Sequence, residues 1–277
     1  MLTQIKDDYC SLGMLTVVWA SLTTTAYAEC SLVESTSAKQ MLCRYERYEV
    51  LVSCKYRMPL LSMLSIGRDI GHKNTSNKNY FLDEEATTLD CQQSSSNRYS
   101  QTNSEYEVGR LTAIDLLDDS QKAALQTNAM TNLVPQSKVM NRYGAWKRTE
   151  TLVECYRDDI NKPLGMDVLS GVLIGSDINN DHFTISHSLM STPDYMWKLV
   201  YFKSENRYDA WIIKNSSNSL GSNLKSYRKP IGKIIDELIK DNEQEQSYSL
   251  DRLKEILVKE PSMVELKFNS NCKLRIG

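Results

Sequence analysis

The segment with the greatest concentration of chemically useful side chains is residues 107–150, which reads EVGRLTAIDLLDDSQKAALQTNAMTNLVPQSKVMNRYGAWKRTE. An amide, Asn141, and a carboxylate, Glu150, lie near its end. Four basic residues fall between positions 138 and 148 with no acidic residue among them: Lys138, Arg142, Lys147 and Arg148. A cluster of this kind can hold phosphate groups with an affinity that falls as the salt concentration rises.

Each of these residues also has a simpler structural interpretation, and the sequence leaves both open. An asparagine just before a helix is commonly a cap, and Asn141 stands near such a helix start. Glu150 follows Lys147 by three positions, a spacing typical of a solvated helical pair worth a few tenths of a kcal/mol. The four basic residues are equally compatible with a solvated first turn of a helix.

Residues 131–150, TNLVPQSKVMNRYGAWKRTE, resemble the core of the DNA/RNA non-specific endonuclease family, the ββα-metal nucleases. In that family a segment of the type SN-(hydrophobic)-(hydrophobic)-PQ…N…G-x-W…E follows a short Asp-Arg-Gly-His motif. A looser similarity extends over residues 45–240. The resemblance implies an α+β protein with the ββα-metal (His-Me finger) nuclease fold, in which helices flank a central antiparallel sheet. It also implies hydrolysis of phosphodiester bonds in DNA and RNA.

The same resemblance assigns roles to three residues of this segment. Asn141 corresponds to the asparagine that holds one Mg²⁺, an ion that keeps several of its waters when a protein binds it. Asn132 matches the asparagine that positions the catalytic loop. Glu150, four residues after Trp146, matches the glutamate that orients a metal-bound water. Between Asn141 and Trp146 this chain has one residue more than the usual family spacing.

The first half of the family pattern is altered. Where the family has Asp-Arg-Gly-His, this chain has Glu107-Val108-Gly109-Arg110. A guanidinium stays protonated and has no lone pair to accept a proton, so Arg110 cannot serve as the general base. Loss of a general base typically lowers the rate by about 10²–10⁴-fold. The sequence therefore predicts a pseudonuclease with a nucleic-acid-binding or structural role, the latter as a subunit of a protein assembly.

The alternative is an active Mg²⁺-dependent endonuclease in which another residue replaces the missing base. His72, Glu107 and Asp115 are the residues of suitable type. In either case DNA or RNA would be held by a local basic patch, since the net charge of −2 gives the chain no overall positive field. The residues predicted to hold it are Lys78, Lys138, Arg142, Lys147 and Arg148.

The N-terminal residues predict export. Residues 14–28, MLTVVWASLTTTAYA, are apolar or small and end in Ala26-Tyr27-Ala28, as expected of a secretory signal. We therefore predict a signal segment over residues 1–28, one nuclease-like domain over residues 29–277, and secretion or a periplasmic location. A mitochondrial presequence and a buried first element are the alternatives. The chain has no run of eighteen apolar residues, so no membrane span is expected.

The cysteine count agrees with export. Removal of the segment with Cys10 leaves six of the seven cysteines, enough for three disulfides, although six buried thiols are also possible. Periodicity predicts helices at 118–130, 144–157, 231–240 and 249–258, and strands at 166–174, 183–189, 195–202, 208–214 and 264–268. Two strands are predicted within 44–66, and a polar surface loop over 67–106. Glycosylation triplets begin at Asn74 and Asn215.

Overall fold

One large sheet forms the centre of the protein. The structure, a computed structural model, describes residues 28–33, 38–67, 79–95, 105–158, 165–181 and 190–268. Its strands are β1 (Glu29–Leu32), β2 (Gln40–Arg44), β3 (Tyr48–Ser53), β4 (Met58–Ile66), β5 (Tyr106–Arg110), β6 (Leu133–Ser137), β7 (Met166–Leu173), β8 (Tyr195–Phe202), β9 (Arg207–Lys214) and β10 (Ser262–Met263). Eight of them pair in the order β1-β2-β3-β4-β7-β8-β9-β10, all antiparallel except β9 with β10. Strands β5 and β6 form a separate antiparallel pair.

Helices flank this sheet, so the predicted α+β class with a central antiparallel sheet is confirmed. The helices are α1 (Glu84–Thr88), α2 (Gln121–Gln126), α3 (Lys138–Arg142), α4 (Ala145–Asp158) and α5 (Ile231–Leu257). Short 3-10 turns cover Ile114–Leu117, Met130–Asn132 and Gly221–Tyr227. Helix α4 buries Trp146, Leu152 and Val153 completely, as its apolar spacing predicted. None of the helices within the described ranges is both long and apolar enough to cross a membrane.

Strands β3 and β4 are the two strands predicted within residues 44–66. The chain turns between them over residues 54–57, where Arg57 has a φ of 50°. Pro59 lies inside β4, opposite Val52, at the point where an irregularity shifts the register of the two strands. A proline lacks the N–H that a regular ladder needs, and such an irregularity is where a strand tolerates it.

The two helices predicted near the C-terminus form one element with a break. In α5 the residue Asn242 is not helical, with φ −165° and ψ 92°. Its side-chain oxygen accepts a hydrogen bond from the backbone N–H of Glu245 at 3.2 Å, which caps the second half of the helix. The last strand is β10, slightly earlier than residues 264–268, although the N–H of Val264 still donates to the carbonyl of Tyr208 at 2.7 Å.

The polar segment 67–106 is not only a surface loop. It contains α1, and both Asp83 and Gln93 are fully buried. A disulfide from Cys91 to Cys54 joins this segment to the end of β3. Polar composition was misleading here because the buried polar groups have partners, such as the Tyr45 hydroxyl, which donates to Asp83 at 2.7 Å. Residues 1–27, 68–78, 96–104 and the predicted strand 183–189 lie outside the described residues.

Disulfides are present, as the cysteine count predicted. Cys30 and Cys43 join neighbouring strands, and Cys155 is also disulfide-bonded. These bonds are compatible with an extracellular or periplasmic location.

The two disulfides with both partners described should contribute unequally to stability. Cys54–Cys91 closes 37 residues and Cys30–Cys43 closes 13. Because a longer closed loop restricts the unfolded chain more, we expect Cys54→Ala/Cys91→Ala to lower the free energy of unfolding by about 4 kcal/mol and Cys30→Ala/Cys43→Ala by about 3 kcal/mol. Urea denaturation of both variants measures this, and equal losses, or a larger loss for the shorter loop, would contradict it.

Candidate functional site

The segment singled out by the sequence folds as two strands followed by helices. Strand β5 pairs with β6 so that Glu107 lies opposite Gln136 and Arg110 lies opposite Leu133. Helix α3 begins directly after β6, and α4 follows within three residues of its end. The altered motif and the Pro135-Gln136 pair, far apart in sequence, therefore form one ββα unit.

Gly109 is required by the close contact between these strands. A Cβ atom at this position would lie 2.1 Å from the side chain of Gln136. The Gln136 amide in turn donates from Nε2 to the Arg110 carbonyl at 3.2 Å. The glycine therefore lets Gln136 lie across β5, which fixes the backbone that presents Arg110.

The Asn132 side chain is hydrogen-bonded to backbone groups of the fold. Its Oδ1 accepts from the backbone N–H of Thr112 at 2.9 Å, and its Nδ2 donates to the carbonyls of Thr112 and Thr127 at 3.1 and 2.9 Å. The side chain is fully buried. It joins the segment after β5 to the end of α2, so its contacts are those of a positioning residue.

The Arg110 side chain is held by one buried amide. Its Nε and Nη2 donate to Oδ1 of Asn128 at 3.2 and 2.5 Å, and Asn128 is fully buried. The guanidinium carbon also lies 5.6 Å from the centre of the Tyr80 ring. Arg110 therefore occupies its position as a fixed cation that only donates hydrogen bonds.

Asn141 contacts Glu107 and not Arg110. Its Nδ2 donates to Oε1 of Glu107 at 3.0 Å, while Arg142 donates to the other carboxylate oxygen from Nε at 2.8 Å and also from Nη2. Residues three apart on a strand point to opposite faces, so Glu107 and Arg110 leave β5 on different sides. Asn141, the predicted metal ligand, thus lies on the Glu107 side.

Glu150 lies below the surface, unlike the solvated position that helical periodicity predicted. It is 7% exposed, and the Lys147 Nζ lies 3.8 Å from its Oε2. Burial raises the pKa of the Glu150 carboxyl, while the positive charges of Lys198, Lys147 and Arg110 oppose that rise. Lys147 also donates to Oδ2 of Asp115 at 2.7 Å. The carboxylate and its cations form one compact charged group at the start of α4.

Lys198 is the site residue whose importance sequence reasoning missed. It lies in the middle of β8, is fully buried, and its Nζ is 4.0 Å from the centre of the Trp146 ring. This Nζ has no hydrogen-bond partner in the part of the chain that the structure describes. Burial lowers its pKa to about 8, with Glu150 acting in the opposite direction. The available signal was a lysine inside the apolar run YMWKLVYF.

Asn215 was also missed as a site residue. It is 2% exposed, and its Oδ1 accepts from the N–H of Ser137 at 2.8 Å. Its Nδ2 donates to the carbonyls of Pro135 and Pro193 at 2.9 and 3.0 Å. This amide fastens the junction of β6 and α3 to the main sheet, so the asparagine of this triplet is buried and hydrogen-bonded to the backbone.

The sequence as a whole resembles a known protein family. The family model described as DNA/RNA non-specific endonuclease matches residues 30–240. The chain belongs to the DNA/RNA non-specific endonuclease family. A search of curated proteins finds no match.

A solved structure of this fold supports the same architecture. It is the crystal structure of the EndoG/EndoGI complex, reported for the mechanism of EndoG inhibition. The similarity has a TM-score of 0.57 and 16% sequence identity, and it covers 71% of this chain and 82% of the matched chain. The ββα-metal nuclease fold expected from the motif is therefore confirmed.

The family implies a divalent metal, and the hydrogen bond from Asn141 to Glu107 uses Nδ2 and not Oδ1, the amide atom that would bind the ion. The adjacent carboxylate, Glu107, is already neutralised by Arg142. Within the described ranges, no three or more His, Cys, Asp or Glu side chains are grouped so that they could hold a metal ion. All three histidines of the chain, His72, His182 and His187, lie outside those ranges.

The predicted basic patch of this endonuclease-family chain is divided by its acidic neighbours. Arg142 pairs with Glu107, Lys147 pairs with Asp115, and the Arg148 guanidinium lies 3.7 Å from the centre of the Phe268 ring. Lys138 is exposed and has a hydrogen-bonding or electrostatic partner, and Lys78 lies outside the described residues. Arg142, Lys147 and Arg148 therefore have three different partners.

The buried Lys198 should make stability depend on pH. Its folded pKa of about 8 lies below the usual 10.5, so between these values the unfolded chain binds a proton that the folded chain does not. Stability therefore rises with pH across this window, by at most about 3 kcal/mol for this group. Urea denaturation at pH 8 and 10.5 measures the change. The rise in the free energy of unfolding should be absent in Lys198→Met and present in Lys240→Met, which removes an exposed lysine. An identical pH response in wild type and Lys198→Met would contradict this.

Proposed function

We propose that this chain is a catalytically degenerate member of the DNA/RNA non-specific endonuclease family, which uses the nuclease fold to bind nucleic acid. The observation that carries the proposal is Arg110 at the position of the family's histidine, with its guanidinium held by Asn128. An arginine there cannot take a proton from water. It supplies a fixed positive charge beside the ββα unit.

The acidic residues that could replace the base are already occupied. Both carboxylate oxygens of Glu107 accept hydrogen bonds, from Asn141 and Arg142, and Asp115 accepts one from Lys147. These contacts favour loss of catalysis over the alternative of an active Mg²⁺-dependent endonuclease. The third substitute base, His72, lies outside the described residues.

In this proposal the residues retain their positions and lose their chemical roles. Asn132 holds the loop after β5, Glu150 balances the charges of Lys198 and Lys147, and Asn141 is bound to Glu107. That contact uses the Nδ2 of Asn141, so Mg²⁺ would be held by the Oδ1 of the same amide. We further propose that the chain is exported and that residues 1–28 are removed, for which the disulfides are the support.

A structural role in a protein assembly is the second candidate. The EndoG structure was solved as a complex with EndoGI, so a protein of this fold can present a surface to a protein partner. The overall charge of −2 also gives no general attraction to nucleic acid. Absence of any nucleic-acid binding by the purified protein would favour this role.

Incubation with supercoiled plasmid and Mg²⁺ tests the loss of catalysis. We expect the disulfide-bonded wild type and an Asn141→Ala variant both to leave the plasmid uncut. Conversion of supercoiled plasmid to nicked circles is followed on agarose gels. Robust nicking by the wild type that disappears in Asn141→Ala would refute the proposal, because it would show a working metal site and a base.

Restoring the family motif tests whether a base at position 110 is what the chain lacks. Arg110→His with Val108→Arg returns a base and a phosphate-binding cation, and Glu107→Asp in addition completes the family's Asp-Arg-Gly-His. We expect the triple variant to nick plasmid on the order of 10² times faster than wild type, because a general base typically contributes that much. No gain in the triple variant would show that position 110 and Asn141, which lie on different sides of β5, do not form one site.

A further inference from the structure

Beside the ββα unit lies a cleft of about 480 Å³ that the family resemblance did not predict. It lies between the start of α4, the 3-10 turn Gly221–Tyr227 and the residues that follow β10. Its wall includes three aromatic side chains, Tyr143, Trp211 and Phe268. Trp211 is almost completely buried, whereas Tyr143 is 68% exposed. An aromatic side chain this exposed at the edge of a cleft offers a flat face to a ligand.

The backbone that carries Tyr143 is fixed. Tyr143 follows α3, and the next residue, Gly144, forms a bridge with Leu220. A Cβ atom on Gly144 would lie 2.5 Å from the Ser219 carbonyl oxygen, which itself accepts from the N–H of Ala145 at 2.8 Å. Two backbone segments therefore touch directly at this point. Tyr143 lies in the stretch between Asn141 and Trp146, which is one residue longer than the family spacing. The exposed Tyr143 ring is therefore attached to a backbone that is held in place.

The cleft carries excess positive charge although the whole chain does not. Four cationic residues line it, Arg148, Lys225, Arg228 and Lys267, against two acidic ones, Asp209 and Glu265, which leaves an excess of two. The buried Asp209 is paired with Arg228 at 2.8 Å. Glu265 lies 3.9 Å from both Lys225 and Arg228. Arg228 lies near both acidic residues, so the cations available to a ligand are Arg148, Lys225 and Lys267, with Glu265 also near Lys225 and a net excess of two positive charges.

The cations of the cleft are exposed enough to contact a polyanion. The Lys225 side chain is 81% exposed, and Lys267 is exposed with no acidic partner in the described part of the chain. Arg148 is held over Phe268 and lies on the wall nearest the ββα unit. Cations of this kind beside an exposed aromatic ring are the combination that binds single-stranded nucleic acid, since every base has a face that can stack. A duplex hides those faces within its own stack.

We propose that this cleft binds a single-stranded segment of nucleic acid, with one base stacked on Tyr143 and the flanking phosphates held by Lys225, Lys267 and Arg148. The proposal rests on the nucleic-acid-binding role given above and names the form of nucleic acid that is bound. Arg142 and Lys147 are paired with acidic residues, whereas Arg148 lies in the cleft. The bound nucleic-acid segment would begin at Tyr143, the residue after Arg142.

Fluorescence anisotropy tests the cleft directly. The probe is a fluorescein-labelled 12-nucleotide oligo(dT), compared with a labelled duplex of the same length, in buffer with EDTA so that no cleavage can occur. We expect Tyr143→Ala to weaken binding of the single strand about tenfold and Tyr143→Phe, which keeps the ring, to bind like wild type. Lys225→Ala/Lys267→Ala should reduce the slope of log affinity against log salt by about 1.4, the value for two phosphate contacts on a single strand.

Matched controls separate the cleft from general surface effects. Tyr195→Ala removes another exposed tyrosine, and Lys240→Ala removes an exposed lysine on α5; both should bind like wild type. Wild-type affinity in Tyr143→Ala, or a duplex bound as tightly as the single strand, would overturn the proposed cleft and leave the degenerate-nuclease proposal standing. If the wild type binds neither probe, the nucleic-acid-binding role and the cleft are both overturned, and the plasmid assay decides catalysis independently.

Discussion

The pairing of β5 with β6 is the constraint on which the ββα unit depends. Its register places Gly109 opposite Val134, and the missing side chain at Gly109 leaves room for the Gln136 side chain to lie across β5. That register decides which side chains leave β5 on which face. Glu107 goes to Asn141 and Arg142, and Arg110 goes to Asn128 and Tyr80. The chemistry available to the site follows from this division.

Charge compensation organises the cations around the ββα unit. Acidic residues from other elements pair with them: Glu107 with the exposed Arg142, and Asp115 with the half-buried Lys147. Lys198 is the exception, since its amino group is buried over Trp146 with only the longer-range charge of Glu150 to offset burial. A buried cation of this kind reduces stability at neutral pH. Its retention in the middle of β8 links the sheet electrostatically to the start of α4.

Two buried amides join the ββα unit to the rest of the protein. Asn132 connects the segment after β5 to α2, and Asn215 connects the end of β6 to the strand β9 and to Pro193. Both are acceptors and donors at once, so each fastens two backbone segments with one side chain. The same rigid framework holds Gly144 against Ser219 and so presents Tyr143 at the edge of the cleft.

The sequence alone determined the fold class, helix α4, strands β7, β8 and β9, the presence of disulfides and the family, because these depend on local periodicity and on a contiguous motif. It failed for α1 and the buried part of the segment 67–106, where polar residues find partners far away in sequence. It also left open whether Glu150 is solvated and how the four cations are partnered, since neither Lys198 nor the acidic partners are neighbours in the chain. Which charges remain open to a ligand was decided only by the tertiary structure, because compensation between side chains is a property of distance in space.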